Sequence, residues 1–328
     1  MPKKIEWGIL ACGRIAKNFA RDLQHSAKNE LVAVGSRNKR KAKAFAKDFS
    51  DVRAYGSYEA LVQDDEVDIV YVASLHPGHM EHTLLAIEAG KHVLCEKPIA
   101  INAKQTQTMI KAARKRDVFL MEAMWTRFFP AILRLRKWLD EERIGQILAM
   151  QADFGIRVPW DPKGRLFDPV AGGGALLDLG IYPISFASLV MGCQPEKIQT
   201  HVNFCSTGVD DQSSFQCLYA DGVTANLFCS SRVWSGHELR LYGTEGQIAI
   251  NGDFFHPDHV ILEMRGKKPR TYPYPHPGNG MQFEADHVAT CLCKGQRESD
   301  ILPLDESLAI MKTLDKIRRQ WKFMYPGE

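Results

Sequence analysis

The twelve residues "IEWGILACGRIA" (5–16) decide how the rest of the chain is read. An apolar run, residues 5–11, meets a glycine-bearing turn, and a segment with helical spacing follows at about 14–25. The same alternation recurs. Strand-like runs occupy 30–36, 67–74, 92–96 and 118–122, and helical spacing fills 38–49, 57–64, 78–89 and 102–116, with Asn102 and Gln105 as an N-cap pair. Strands apolar on both faces, alternating with helices, imply a parallel sheet covered on both sides, the doubly wound arrangement. The turn reads Ala11-x-Gly13-x-x-Ala16 against the dinucleotide fingerprint G-x-G-x-x-G/A, with alanine replacing the first glycine. Its central glycine lets the backbone approach a pyrophosphate, and the helix start offers free N–H groups. Ala11, Gly13, Arg14 and Ile15 are therefore candidate cofactor contacts, against the alternative of an ordinary tight turn.

Beyond residue 145 the pattern changes. A long strand is expected at 146–156, a helix-like stretch at 173–192, then strands at 196–206, 211–219, 223–231, 237–243, 246–251, 258–264 and 269–273. Asp221-Gly222 and Gly243–Gly246 read as turns between them. Successive strands without intervening helices imply a large, open, mostly antiparallel sheet, and two helices near 280–294 and 305–321 close the chain. The expectation is α/β: a Rossmann domain over 1–124 and an α+β domain for substrate and dimerisation over 125–328.

Bulk properties exclude several classes. With 328 residues, 45% hydrophobic and 25% charged, the chain has the composition of a two-domain globular protein. A net charge of +3, from 42 basic and 39 acidic residues, argues against nucleic acid as a partner. No apolar run approaches the ~20 residues that span a bilayer, and "MPKKIEWGIL" lacks the features of a secretory signal. Eight scattered cysteines fit free thiols in a reducing cytoplasm, and Cys291/Cys293 lack the partners of a zinc site. The expectation is a cytoplasmic protein with no metal.

The second strand ends in Gly35-Ser36-Arg37, where NAD-binding proteins carry Asp or Glu for the ribose hydroxyls. A hydroxyl and a guanidinium suit a 2′-phosphate, so NADP is expected over NAD, with Lys39 and Arg40 possible solvated bystanders. Ligands of such sheets lie off the carboxyl ends of the strands. That edge gains Ser74, His76 and His79 from one segment, and Glu96-Lys97-Pro98 from the next. Lys97 falls where a nicotinamide would lie and can stabilise a developing alkoxide. Pro98 would fix its backbone, and the bond is a candidate for cis. In "AGGGALLDLGIYP" (171–183), Asp178 and Tyr182 share a helical face. Tyrosine can transfer a proton and the acid can orient it, while a solvated acid and a core aromatic remain the alternative.

Taken together, the Ala-x-Gly-x-x-Ala turn, "AGKHVLCEKP" (89–98) and the acid-bearing glycine helix at 172–182 resemble the glucose–fructose oxidoreductase/inositol dehydrogenase/rhizopine catabolism (Gfo/Idh/MocA) family over nearly the whole chain. "MEAMWTRFFP" (121–130), "AGGGALLDLGIY" (171–182) and "GVDD" (208–211) look most like its dimeric dihydrodiol dehydrogenase branch, which includes NADP-dependent D-xylose dehydrogenases. The resemblance implies catalysis by Lys97, with Tyr182 as acid/base where many members carry histidine. It implies His76 and His79 at the cofactor, and Trp125, Arg127 and Phe154 at the substrate, with core packing the alternative for Trp125 and Phe154. It also implies dimerisation through the outer face of the C-terminal sheet. The expected activity is NADP-dependent hydride transfer to or from a hydroxyl- or carbonyl-bearing carbon of a sugar or trans-dihydrodiol. Its alternatives are a non-catalytic NADP-binding regulator, or a reductase for a substrate such as anhydrofructose.

Overall fold

The computed structural model describes residues 4–328. Two compact units emerge. One runs to Trp125 and takes in Pro277–Leu308; the other comprises Thr126–His276 and Ala309–Glu328. A linear division at 124/125 does not contain this return of the chain.

In the first unit six parallel strands stand in the order β3-β2-β1-β4-β5-β6. They are β1 (Ile5–Leu10), β2 (Asn29–Gly35), β3 (Arg53–Tyr55), β4 (Ile69–Val72), β5 (His92–Glu96) and β6 (Leu120–Ala123). The order reverses between β1 and β4, the switch point at which such sheets bind ligands. β1, β4, β5 and β6 are apolar because they are covered on both faces: Ile9, Leu10, Val70, Val72, Val93 and Leu94 are fully buried. Trp7 hides its indole, and its N–H is satisfied by Asn29 Oδ1 at 2.8 Å. β3 is too short to carry a periodic signal, so the sequence reading passes over it.

The helices are α1 (Arg14–Leu23), α2 (Lys39–Ala46), α3 (Tyr58–Val62), α4 (His79–Glu88) and α5 (Ala103–Arg116). Side-chain caps set several starts: Asn38 accepts from Arg40 N–H, Ser57 from Ala60 N–H, and Asn102 from Gln105 N–H at 2.8 Å. Asp117 ends α5 in the left-handed region.

The second unit holds eight strands in the order β14-β13-β12-β11-β7-β10-β9-β8. They are β7 (Ile147–Gly155), β8 (Lys197–Phe204), β9 (Asp210–Leu218), β10 (Thr224–Ser230), β11 (Leu239–Gly243), β12 (Gly246–Ile250), β13 (His259–Met264) and β14 (Arg270–Pro273). All pairs are antiparallel except β7 with β10. α6 (Pro130–Asp140) and α7 (Ile181–Met191) belong to this unit, α8 (Gln282–Cys293) to the first, and α9 (Leu304–Gln320) passes from one to the other.

The sequence reading gives no element to 130–140. There, Pro130 opens α6, and Ala131, Ile132, Leu135 and Trp138 form its buried stripe.

The stretch expected as one helix at 173–192 is instead a π-turn, Leu176–Gly180, leading into α7. Pro183 has no N–H for the carbonyl of Leu179, and Ile181 N–H bonds back to Leu176. The segment Pro169–Met191 is apolar and long enough to cross a membrane, but 83% of its most apolar window is buried within the fold. All eight cysteines are free thiols.

Candidate active site

At the first βα turn Ala11 takes φ 79, the left-handed region where glycine would be easier, and its N–H bonds Gly35 O at 3.0 Å. Gly13 is the N-cap of α1, and a Cβ built there would meet nothing within 4 Å. Protein packing therefore does not require glycine at 13, whereas a phosphate lying on the turn would. Arg14 is exposed and Ile15 half-buried at the start of α1, where first-turn N–H groups lack intrahelical partners.

At the end of β2 the buried Ser36 accepts from Asn38 N–H at 3.3 Å, and Arg37 is exposed. Lys39 is committed elsewhere: Nζ reaches the carbonyl of Ala54. This end of the sheet thus offers N–H groups, a hydroxyl and the exposed guanidiniums of Arg14 and Arg37, which fits a nicotinamide dinucleotide.

The Glu96–Ile99 turn at the end of β5 is held at several points. Lys97 N–H donates to Glu96 Oε2 at 3.0 Å, and the Tyr71 hydroxyl donates to Glu96 Oε1. Ile99 N–H donates to Glu122 Oε1 at 3.0 Å. His79 lies 2.8 Å from Pro98 O and 3.0 Å from Ser74 O, tying the two segments together. Lys97–Pro98 is cis.

His79 is fully enclosed, and burial lowers its pKa to about 4. Both its partners are carbonyls, so the neutral ring donates to one of them. It ties Ser74 to Pro98 at the carboxyl edge of the sheet and is not an exposed group. His76 is also buried, 5.6 Å from it ring to ring, and Ser74 Oγ contacts His82 at 2.8 Å. Sequence reasoning missed Tyr71 and Glu122. An acid inside the apolar strand "VFLME" was the available signal for Glu122.

In the second unit Asp178 is nearly buried and takes a two-pronged hydrogen bond from Arg165, Nη1 to Oδ1 at 3.0 Å and Nη2 to Oδ2 at 3.1 Å. The reading of Asp178 as a freely solvated acid is therefore excluded, and Arg165, which the sequence did not single out, fixes its orientation. Tyr182 packs edge-on to Phe154 at 5.2 Å, and Phe154 stacks on Phe255 at 4.2 Å. His237 adds a ring 5.1 Å from Phe154 and lies 2.7 Å from Asp253 Oδ1 and 2.6 Å from Gly155 O. Phe154 is thus beside Tyr182, and both rings are largely buried.

Arg127 is different. Expected on that wall, it is only 2% exposed and donates to Ser185 Oγ at 3.1 Å and Ser185 O at 2.6 Å. A buried guanidinium must have its N–H groups satisfied, and here it braces α7. Trp125 is half-buried, at the end of the first unit's leading stretch.

These features can be set beside known proteins. Residues 5–124 match the oxidoreductase family with NAD-binding Rossmann fold, and 132–249 match the Gfo/Idh/MocA C-terminal domain. The chain is 38% identical to trans-1,2-dihydrobenzene-1,2-diol dehydrogenase of Homo sapiens over 335 residues, covering 99% of each, and 36% identical to that of Xenopus tropicalis, covering 98% and 99%. Aldose-aldose oxidoreductase from Caulobacter crescentus superposes with TM-score 0.88 at 26% identity, covering 98% of each chain. A 3-ketoreductase from Actinomadura kijaniata, solved with NADP and TDP-benzene, gives 0.85 at 27%, covering 97% and 98%. Matched in both halves and related along its whole length, the chain belongs to the Gfo/Idh/MocA family and is a dehydrogenase or reductase built on a nicotinamide-dinucleotide-binding Rossmann fold.

Proposed function

We propose that this enzyme is NADP-dependent and interconverts a secondary alcohol and a ketone on a ring substrate, a trans-dihydrodiol before a sugar. The observation that carries this reading is the aromatic surround of Tyr182, in which Phe154 stacks on Phe255 beside the hydroxyl-bearing ring. Planar, weakly polar rings pack well on such faces, and sugars stack on them too. The names of the curated relatives support the dihydrodiol.

When bound, NADP would supply the hydride chemistry. The chain does the rest. The amides at the start of α1 and Gly13 would hold the pyrophosphate, and Ser36 and Arg37 would hold the 2′-phosphate. Lys97 donates to the substrate oxygen and stabilises its negative charge. Tyr182 Oη takes the hydroxyl proton during oxidation and returns it during reduction. Asp178, anchored by Arg165, orients the polar groups near Tyr182. The boundary near residue 124 divides cofactor from substrate functions, with α8 a structural return to the first unit. A cytoplasmic homodimer completes the proposal, joined through the sheet face that presents Gln151, His201, Gln216, Asn226, Phe228 and Arg240.

A panel of trans-dihydrodiols, aldoses and polyols, followed at the reduced-nicotinamide absorbance with NADP, tests the reading. Turnover with a dihydrodiol is expected, and Lys97→Met should lower kcat at least about a hundredfold with coenzyme affinity nearly unchanged. Silence across the panel would refute the enzyme assignment to these substrates, and full activity of Lys97→Met would remove the lysine from the mechanism.

A further inference from the structure

The segment carrying Asp178 and Tyr182 springs from a turn of three glycines, Gly172–Gly174, two of them in positive-φ conformations. Such a turn has little stiffness of its own. The structure surrounds it with two groups that the proposed chemistry does not use. Asp210, at the start of β9 and 1% exposed, accepts the Leu176 N–H through Oδ2 at 2.7 Å. Tyr325, 3% exposed, donates its hydroxyl to Gly173 O at 2.6 Å. Both close on Gly174, which has φ +120: a Cβ there would collide with Asp210 Oδ1 and lie 3.2 Å from Tyr325 Oη.

Tyr325 is itself held. Its N–H donates to Glu328 Oε2 at 2.7 Å, and Glu328 receives both Nη groups of Arg318, at 2.5 and 3.0 Å. The Arg318 guanidinium lies 5.1 Å over the Tyr325 ring, and Arg318 also reaches Asp315 on α9 at 2.7 Å. The glycine turn is thus fastened on one side to β9 and on the other, through Tyr325–Glu328, to α9.

We infer that Tyr325 and Asp210 form a latch that positions the Leu176–Tyr182 segment, so that residues far along the chain from the glycine turn set the placement of Tyr182. Both are positioning residues, and the inference rests on the reading of Tyr182 as acid/base. The segment the latch holds begins with a π-turn, Leu176–Gly180, a departure from regular helix of the kind often found at functional sites.

Amide hydrogen exchange and steady-state kinetics on the full chain test this. In Tyr325→Phe, which keeps the ring, and in Asp210→Ala, exchange over 174–182 should rise about tenfold, and kcat should fall by a similar factor. KM for the coenzyme should stay within about twofold, because that site is built by the other stretch of chain. Asp210→Asn keeps an acceptor oxygen for the Leu176 N–H and should restore both readouts to within about threefold of wild type. Unchanged exchange over 174–182 in Tyr325→Phe and Asp210→Ala overturns the latch. A rise spread evenly over the chain also overturns it, because it would mark a general loss of stability. Tyr182→Phe, measured beside them, isolates the chemistry: full turnover in that variant would sink the acid/base reading, while the latch is still judged by exchange.

Discussion

Ala11 and Arg37 show how far single residues could be read. The fingerprint position of Ala11 was visible, but its left-handed φ of 79 belongs to the backbone path between β1 and α1 and has no signature in one letter. Ser36 and Arg37 were visible as a pair. Only the folded chain separates exposed Arg37 from Lys39, which is drawn onto the Ala54 carbonyl. If Arg37 holds a 2′-phosphate, NADP should bind at least about tenfold tighter than NAD, the difference expected of one charge-assisted contact. Arg37→Ala should erase that difference in fluorescence titrations of both coenzymes; equal affinity in the wild type would refute the assignment. Arg127 marks the opposite case, since its resemblance to a wall residue gave no sign that Ser185 would take its guanidinium inward.

At the scale of elements, α8 carries an unusual buried acid. Glu284 is 0% exposed, and neither of its carboxyl oxygens has a hydrogen-bond partner among the described residues. Burial first, then the charges of Glu96 on β5 and Asp22 on α1, push its pKa well above the ordinary 4.5. Asp22 is fixed there because it caps the approach to α8, accepting N–H bonds from Asn279 and Met281. The folded chain keeps the Glu284 proton that the unfolded chain releases above about 4.5, so this group makes stability fall as pH rises toward its folded-state value. Glu284→Gln carries no titrating proton. Within that window it should gain on wild type by about 1.4 kcal/mol per pH unit. Thermal melts from pH 5 to 8 check this; parallel pH dependence in the two proteins would show that Glu284 is ionised in the fold. The helix itself was foreseen, as were most strands. Missed were β3, too short for periodicity, α6, and the π-turn, which depends on Pro183 and on the close approach of β10 to Gly180.

For the whole molecule, the second unit's sheet has one face under α7 and the other lined by Gln216, Asn226, Phe228 and their neighbours. In a two-fold dimer through that face each substitution acts twice. Phe228→Arg should therefore convert a dimer to a monomer in sedimentation velocity; a monomeric wild type would refute the proposed interface. The sequence by itself determined the doubly wound sheet, the glycine turn, the placement of Lys97 at a strand's carboxyl edge and the family, because these rest on periodicity and short contiguous motifs. Tertiary structure alone decided that α8 returns to the first unit, that Arg165 clasps Asp178, that Arg127 turns inward, and that Tyr325 reaches Gly173. Those contacts join residues between 13 and 152 positions apart, or send a distant segment back to its sheet. Their energies depend on burial and on which polar groups remain to be satisfied, quantities that exist only once the chain has closed on itself.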